Sequence, residues 1–220
     1  VGACAKAVLK CQPALENDLR SRGYLAIAGA DEVGRGSLFG PVTAAAVVLS
    51  PERPVRGLND SKQLTRERRE VLSERIRERA VSWAIASVDA AEIDRINIYQ
   101  ASRLAMKMAV LQLVPFPDYL LCDAVTLDLS LPQRGIIDGD AQCHAIAAAS
   151  IIAKVHRDAL MREFDQIYPQ YGLARHKGYC CPEHFRALRE HGATPLHRRS
   201  FEPVYRLDQF QLFTTPEFTA

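Results

Sequence analysis

Asp31 and Glu32 stand side by side after an apolar approach, Leu25 to Ala28, and are followed at once by Gly34, Arg35 and Gly36. Two more carboxylates take similar positions. Asp123 closes the apolar run Tyr119 to Cys122, and Asp140 lies between Gly135-Ile136-Ile137 and a long stretch of helical periodicity. Carboxylates gathered at element ends raise one another's pKa unless a cation sits among them. Magnesium and manganese take hard oxygen ligands, and a pair of such ions can activate water, orient a phosphodiester and stabilise the leaving oxygen. Metal-assisted phosphoryl transfer is therefore the chemistry these residue types suggest. The glycines permit positive φ and a close approach of backbone amides to a phosphate or sugar, and Arg35 adds a planar fork of donors. The bland alternative is an acidic pair in a solvated hairpin, because Gly and Asp are ordinary turn formers. Neighbouring residues on a regular strand face opposite ways, so Asp31 and Glu32 share one site only if the strand bulges or ends there.

The elements that must position these acids are legible in outline. Residues 24–31, 42–49, 81–88, 119–123 and 135–137 read as strands, from apolar runs bounded by Gly, Pro or Asp. Thr65 is placed to cap a charged surface helix over 66–79, Asp89 a short helix, and Asn97 a helix over 98–113. Ile98, Ala101, Ala105, Met108 and Leu111 form the predicted core stripe of that last helix. A long helix over 143–167 has Ile146, Ala149, Ile152, Ala153, Val155, Leu160 and Phe164 as its inner residues. A further helix starts near Pro182 and ends at Gly192. Close early strands predict antiparallel pairing, and later strands separated by helices can be parallel. The fold class is α/β, with a mixed five-stranded sheet flanked by helices and a small helical C-terminal lobe. The expected organisation is an arm over 1–22, with Glu16, Asn17 and Arg20 on its polar side, a catalytic domain over 23–170, and a lobe over 171–220 that completes the substrate site.

The 220 residues are 48% hydrophobic and 25% charged, with a formal net charge of +2. This composition fits one substantial core, and a polyanionic partner would have to be met by a local patch. None of the six cysteines has C-x-x-C spacing, which predicts reduced thiols and a cytoplasmic protein rather than a disulfide framework. The first residues contain no membrane span, and a chain opening on Val leaves its true start undetermined. His176, Cys180, Cys181 and His184 have spacings a zinc site could use, but Cys-x-x-Cys order is lacking.

Taken in order, DEVGRG at 31–36, NDSK at 59–62, Asp123, GDA at 139–141, AAASIIAKVHRD at 147–158, HKGY at 176–179 and HRRSF at 197–201 resemble bacterial ribonuclease HII. The resemblance runs from about residue 25 to 204. It implies a ribonuclease H-like fold and a requirement for Mg²⁺ or Mn²⁺. It also implies cleavage on the 5′ side of a ribonucleotide in RNA/DNA hybrids and ribonucleotide-containing duplex DNA. Asp31, Glu32, Asp123 and Asp140 match the four catalytic, metal-holding acids. By the same resemblance Gly34, Arg35 and Gly36 would read the ribose 2′-hydroxyl, and Tyr179 would stack on the neighbouring deoxyribose. Ser61, Lys62, Lys177 and Arg198 are further candidate substrate contacts, and Asp158 a candidate support for the metals. The related ribonuclease HIII typically has another residue between the glycines and an extra N-terminal domain, for which the arm over 1–22 is too short.

Two positions depart from the family pattern. Ala124 stands where Gly is common, and Asp138 where a basic residue is common, with the expectation that it perturbs Asp140. A binding module without catalysis would lack some of the acids, and a nuclease of other specificity would leave Gly34–Gly36 and Tyr179 without a task. A monomer is expected, with no membrane association. No sliding-clamp contact can be read from the sequence.

Overall fold

The computed structural model describes residues 11–207. The first ten residues of the predicted arm and residues 208–220 of the predicted lobe lie outside the described residues. Strands β1 (Ile27–Val33), β2 (Val42–Val48), β3 (Ser82–Val88), β4 (Tyr119–Asp123) and β5 (Gln133–Ile136) form one sheet in the order β3-β2-β1-β4-β5. β2 is antiparallel to β1 and to β3, whereas β1–β4 and β4–β5 are parallel. The mixed sheet expected from the spacing of strands and helices is thus present. The predicted caps are present too: Thr65, Asp89 and Asn97 accept from the backbone N–H three residues on, at 3.3, 2.8 and 3.1 Å.

Helices lie on both faces. Of α1 (Ala14–Ser21), α2 (Arg66–Arg79), α3 (Ala90–Ile96) and α4 (Ile98–Leu111), the last packs on the face formed by Ala28, Ala30, Ala44, Ala46 and Leu120. The opposite face, with Ala45 and Val47, receives α2 and the long α5 (His144–Ile167) through Leu72, Ile76, Ala147, Ala148, Ala149 and Ile152. α5 comes very close to β1: a Cβ on Gly29 would stand 2.1 Å from the Ala145 carbonyl carbon. Residues without side-chain bulk on both elements make that approach possible. Two short helices, α6 (Leu173–His176) and α7 (Pro182–His191), follow α5. Leu173, Ala187, Leu188 and Val204 from this region pack with Met161 of α5 and with Leu38 and Phe39.

Three sequence expectations shift. The α4 stripe is Ala101, Ser102, Ala105, Met106, Ala109 and Val110, while Met108 and Leu111 are 38% and 54% exposed. The small alanines decide the inward side because they bring the helix nearest the sheet. β5 covers residues 133–136, and Ile137 is 77% exposed. This edge strand is pinned by a polar residue: the Gln133 amide accepts from Leu127 N–H at 2.7 Å and donates to the Leu127 and Leu129 carbonyls at 2.8 and 3.2 Å. Glu16, expected on the polar side of α1, is 2% exposed.

Candidate active site

β1 starts at Ile27 and runs through the acidic pair, with Asp31, Glu32 and Val33 in regular register opposite Ala45, Ala44 and Thr43. The bulge or strand end expected at the acids is therefore absent on the β2 side. It occurs on the other side, where the β1–β4 ladder stops at Ala30–Cys122. The next residues of these strands, Asp31 and Asp123, are no longer paired with each other, although Asp31 stays paired with Ala45 of β2 and Asp123 with Ile136 of β5. Asp31 shares the α5-facing side of β1 with Gly29, and Glu32 emerges on the other side at the same open end. A short link joins them, since Asp31 Oδ1 accepts the Glu32 N–H at 2.7 Å. Asp123 Oδ1 accepts the Gly139 N–H at 2.8 Å, which fixes the Gly139–Ala141 turn carrying Asp140 to the end of β4.

All four carboxyls are held above their ordinary pKa range. Asp31, 5% exposed, is raised well above it by burial, then by Glu32 and Asp123; the Ser150 hydroxyl opposes the shift, and Asp140 adds to it. Glu32 and Asp123 are raised chiefly by burial, against the opposing pull of Arg35 on the first and of the Gly139 N–H on the second. Asp140 is raised by burial, with Lys62 opposing. Asp138 is exposed, in the left-handed conformation at φ 53°. It is one of the groups that raise Asp123.

Two cations stand against this acidic group. Arg35 Nη1 lies 3.1 Å from Glu32 Oε1, and Lys62 Nζ lies 3.2 Å from Asp140 Oδ2. A cleft of about 440 Å³ opens over Asp31, Glu32, Asp123, Gly34, Arg35, Gly36, Ser61, Lys62, Ser150, Lys154 and Tyr179. Asp140 stands behind Lys62. Among the described residues, no three or more His, Cys, Asp or Glu side chains are gathered tightly enough to close around an ion. The donor set nevertheless fits a hard divalent cation. It consists of carboxylate oxygens, one of them, Glu32 Oε2, is buried without a hydrogen-bond partner, and the shared upward shifts are those a cation relieves.

Other predicted contacts divide into two groups. Tyr179, 36% exposed, borders the cleft across from Gly36. Ser61 is buried and its hydroxyl pairs with that of Ser150 at 2.9 Å. Lys177 is half-buried, with its ammonium on the Ala174 carbonyl of the preceding helix, α6. Arg198 requires a correction: it is fully buried, donating to the Gly40 and Arg35 carbonyls at 3.0 and 2.8 Å. It supports the Gly34–Gly36 turn from beneath rather than facing a phosphate. Asp158 is bound to Lys154 at 2.7 Å, and it is Lys154 that borders the cleft.

Sequence reading missed Ser150, Lys154 and Arg157. Their spacing of four and three residues along α5 places them on one helical face and was the available signal. Arg157 is fully buried and donates to the Pro41, Lys177 and Phe39 carbonyls at 3.1, 3.0 and 3.2 Å. It joins the glycine turn to the Tyr179 loop, and its guanidinium lies 5.7 Å from the Tyr179 ring centre. That loop is held again by histidines. The Thr194 N–H donates to His197 Nδ1 at 2.9 Å, so His197 Nε2 carries the proton toward His184 Nε2 at 3.2 Å. His184 Nδ1 then donates to the Tyr179 carbonyl at 3.1 Å. Burial lowers both imidazoles, to about 4 for His184 and about 3 for His197, which keeps this neutral chain intact. With both nitrogens of His184 engaged, and Cys181 accepting from the His184 N–H at the start of α7, the zinc reading fails.

The family model described as Ribonuclease HII matches residues 28–204. A curated Ribonuclease HII from Solibacter usitatus is 64% identical over 203 residues, covering 92% of this chain and 89% of that protein. Among solved structures, the ribonuclease H2 from Pyrococcus horikoshii OT3 aligns with a TM-score of 0.74 at 25% identity, covering 87% of this chain and all of that one (100%). Bst-RNase HIII, solved in complex with Mn²⁺, aligns at a TM-score of 0.69 and 20% identity, over 84% of this chain and 70% of that one, and shares the fold.

Proposed function

Because this chain belongs to the ribonuclease HII family of endoribonucleases, we propose that it cuts RNA/DNA hybrids, and duplex DNA with embedded ribonucleotides, on the 5′ side of a ribonucleotide. Water adds to the phosphorus and the bond to the 3′-oxygen of the preceding nucleotide breaks, leaving a 5′-phosphate and a 3′-hydroxyl. This reaction removes misincorporated ribonucleotides from DNA. The observation that carries the reading is a set of four carboxyls, all shifted upward: Asp31, Glu32 and Asp123 line a cleft rimmed by Gly34–Gly36 and Tyr179, and Asp140 adjoins it through Lys62.

Asp31, Glu32, Asp123 and Asp140 would hold Mg²⁺ or Mn²⁺. Two such ions, when bound, activate the water and stabilise the leaving oxygen. The remaining roles belong to the chain's own residues. Lys62 and Arg35, now on Asp140 and Glu32, are the cations at the mouth of the cleft available to a phosphate. Only the 2′-hydroxyl separates RNA from DNA at a given position, so the site must touch it directly. Gly36 has space around it, since a Cβ there would meet only the Tyr179 ring, at 3.9 Å. A sugar can therefore pass close to this backbone. Tyr179 offers an aromatic face that a 2′-oxygen on the neighbouring sugar would crowd. Arg157 and the histidine chain hold that ring in place.

The test compares a duplex containing one ribonucleotide with an all-DNA duplex, each with and without Mg²⁺, using the wild-type protein and Asp123→Asn. Metal-dependent cleavage of the first duplex alone, abolished in the variant while duplex binding persists, is the expected result. Near-normal cleavage by Asp123→Asn would remove the carboxylates from the mechanism.

A further inference from the structure

α5 has no cap of its own: Cys143, at its N-cap position, makes no side-chain capping hydrogen bond. The cap comes from α1 instead. Glu16 Oε1 accepts from the Ala145 N–H at 2.8 Å and from the Cys143 thiol at 3.2 Å. A carboxylate at the start of a helix answers unpaired N–H groups and the positive end of the helix dipole. Glu16 is 2% exposed, so this contact is closed off from water. The preceding residues reinforce it, with Gln12 N–H donating to the Gln142 carbonyl at 3.3 Å. Leu19 of α1 packs with Ile27, Leu121, Cys143 and Ile146.

The segment braced in this way leads directly to the acids. Cys143 N–H and Gln142 N–H donate to the Gly139 carbonyl at 2.8 and 3.1 Å. Gly139 N–H in turn holds Asp123 Oδ1, and Asp140 is the next residue. In the other direction, the Ala145 backbone rests against Gly29, two residues before Asp31. A short chain of backbone contacts therefore connects the Glu16 carboxylate with three of the four acids.

We infer that Glu16 is a positioning residue that fixes Asp140 and Asp123 from α1 and thereby sets the divalent-metal affinity of the cleft. The inference rests on the reading of those acids as metal ligands. Groups that orient metal ligands from behind typically change affinity by ten- to a hundredfold when removed. Direct Mn²⁺ titration of the full chain without substrate, by calorimetry or electron paramagnetic resonance, reads this apart from turnover. Glu16→Ala should weaken Mn²⁺ binding by about tenfold. Glu16→Gln, whose amide oxygen still accepts from Ala145 N–H, should bind close to wild type. Glu16→Asp keeps the charge but is one methylene short, so it should weaken binding too, and it decides the matter if Glu16→Ala fails to fold. Wild-type Mn²⁺ affinity in Glu16→Asp or in a folded Glu16→Ala, whatever their melting temperatures, would overturn the inference. So would a loss in Glu16→Gln equal to that in Glu16→Ala. Asp140→Asn is the separate control: if it binds Mn²⁺ like wild type, the assignment of the acids is at fault.

Discussion

Gly29→Ala isolates the close backbone approach of α5 to β1. Gly29 has no positive φ, so its backbone conformation suits alanine, and any effect comes from the added methyl group. That methyl would stand 2.1 Å from the Ala145 carbonyl carbon, 2.3 Å from Ile146 N and 2.4 Å from the Ala145 oxygen. All three atoms are backbone, so no rotamer change relieves them. Ordinary contact begins near 3.4 Å, so α5 and β1 must separate by about 1.3 Å. Overpacking of this kind costs about 1–3 kcal/mol, and a forced shift of two backbones belongs at the upper end. In a domain of this size each kcal/mol lowers Tm by roughly 2–4 °C, so a fall of about 6–12 °C is expected. The same separation draws Ser150 away from Asp31, and misplacement of about 1 Å near a reacting centre costs roughly a hundredfold in rate. Thermal unfolding in chelator and steady-state cleavage of a duplex with one ribonucleotide measure the two effects. Gly36→Ala, with only the Tyr179 ring at 3.9 Å, should keep the wild-type Tm and serves as the thermal control. A Gly29→Ala protein with wild-type Tm and turnover would show that α5 does not rest on β1 in this way.

Two further outcomes follow from local conformation and charge. Ala124 sits at φ 54°, where a side chain costs roughly 1–2 kcal/mol. Since glycine gives back about 0.5–1 kcal/mol in chain entropy, Ala124→Gly should raise Tm by a few degrees in a melting experiment, and an unchanged or lower Tm would contradict this. For Asp31, the folded pKa lies well above the ordinary aspartate value, so the folded state binds the proton more tightly than the unfolded chain. The metal-free protein therefore loses stability as pH rises from about 4, the unfolded value, through the raised pKa, and the loss is complete above it. Asp31→Asn should be increasingly more stable than wild type across that range in chelator, and a pH-independent difference between their melting curves would refute the assignment.

What the sequence revealed and what it hid have different physical origins. The grouping of the four candidate acids was legible because Asp31, Glu32 and Asp123 follow apolar runs and Asp140 precedes a long helix, and the mixed sheet because strand spacing restricts pairing direction. The inward side of α4 was not, since Met108 and Leu111 match helical periodicity as well as Met106 and Val110 do; closeness of the alanines to the sheet decided it. Arg198 and Glu16 were misread for a common reason. Charged residues are rarely buried unless paired, which favours the surface for both. Each is instead buried where it answers backbone groups, Arg198 two carbonyls and Glu16 a helix start. Such partners are distant in sequence and leave no local pattern. Lys154 and Arg157 did leave one, a shared helical face with Ser150, but it became meaningful only once that face was seen to turn toward the cleft.

The close packing and the electrostatics of the site have one cause. Gly29 on β1 and the Ala147–Ala149 run on α5 allow helix and sheet to meet almost backbone to backbone. Little water can then reach the α5-facing side of β1, and Asp31 is held there at 5% exposure. Low polarity magnifies the repulsion from Glu32, Asp123 and Asp140, so tight packing raises the energetic demand for a cation instead of satisfying it. Lys62 and Arg35 answer that demand only in part, each taking one acid at the edge of the cleft and leaving Glu32 Oε2 without a partner. A looser fold would hydrate these carboxylates and weaken the hold on a metal proposed for them. Gly29 and Glu16, neither of which borders the cleft, therefore belong to the machinery of the site: the first permits the approach of α5, and the second fixes where that helix begins.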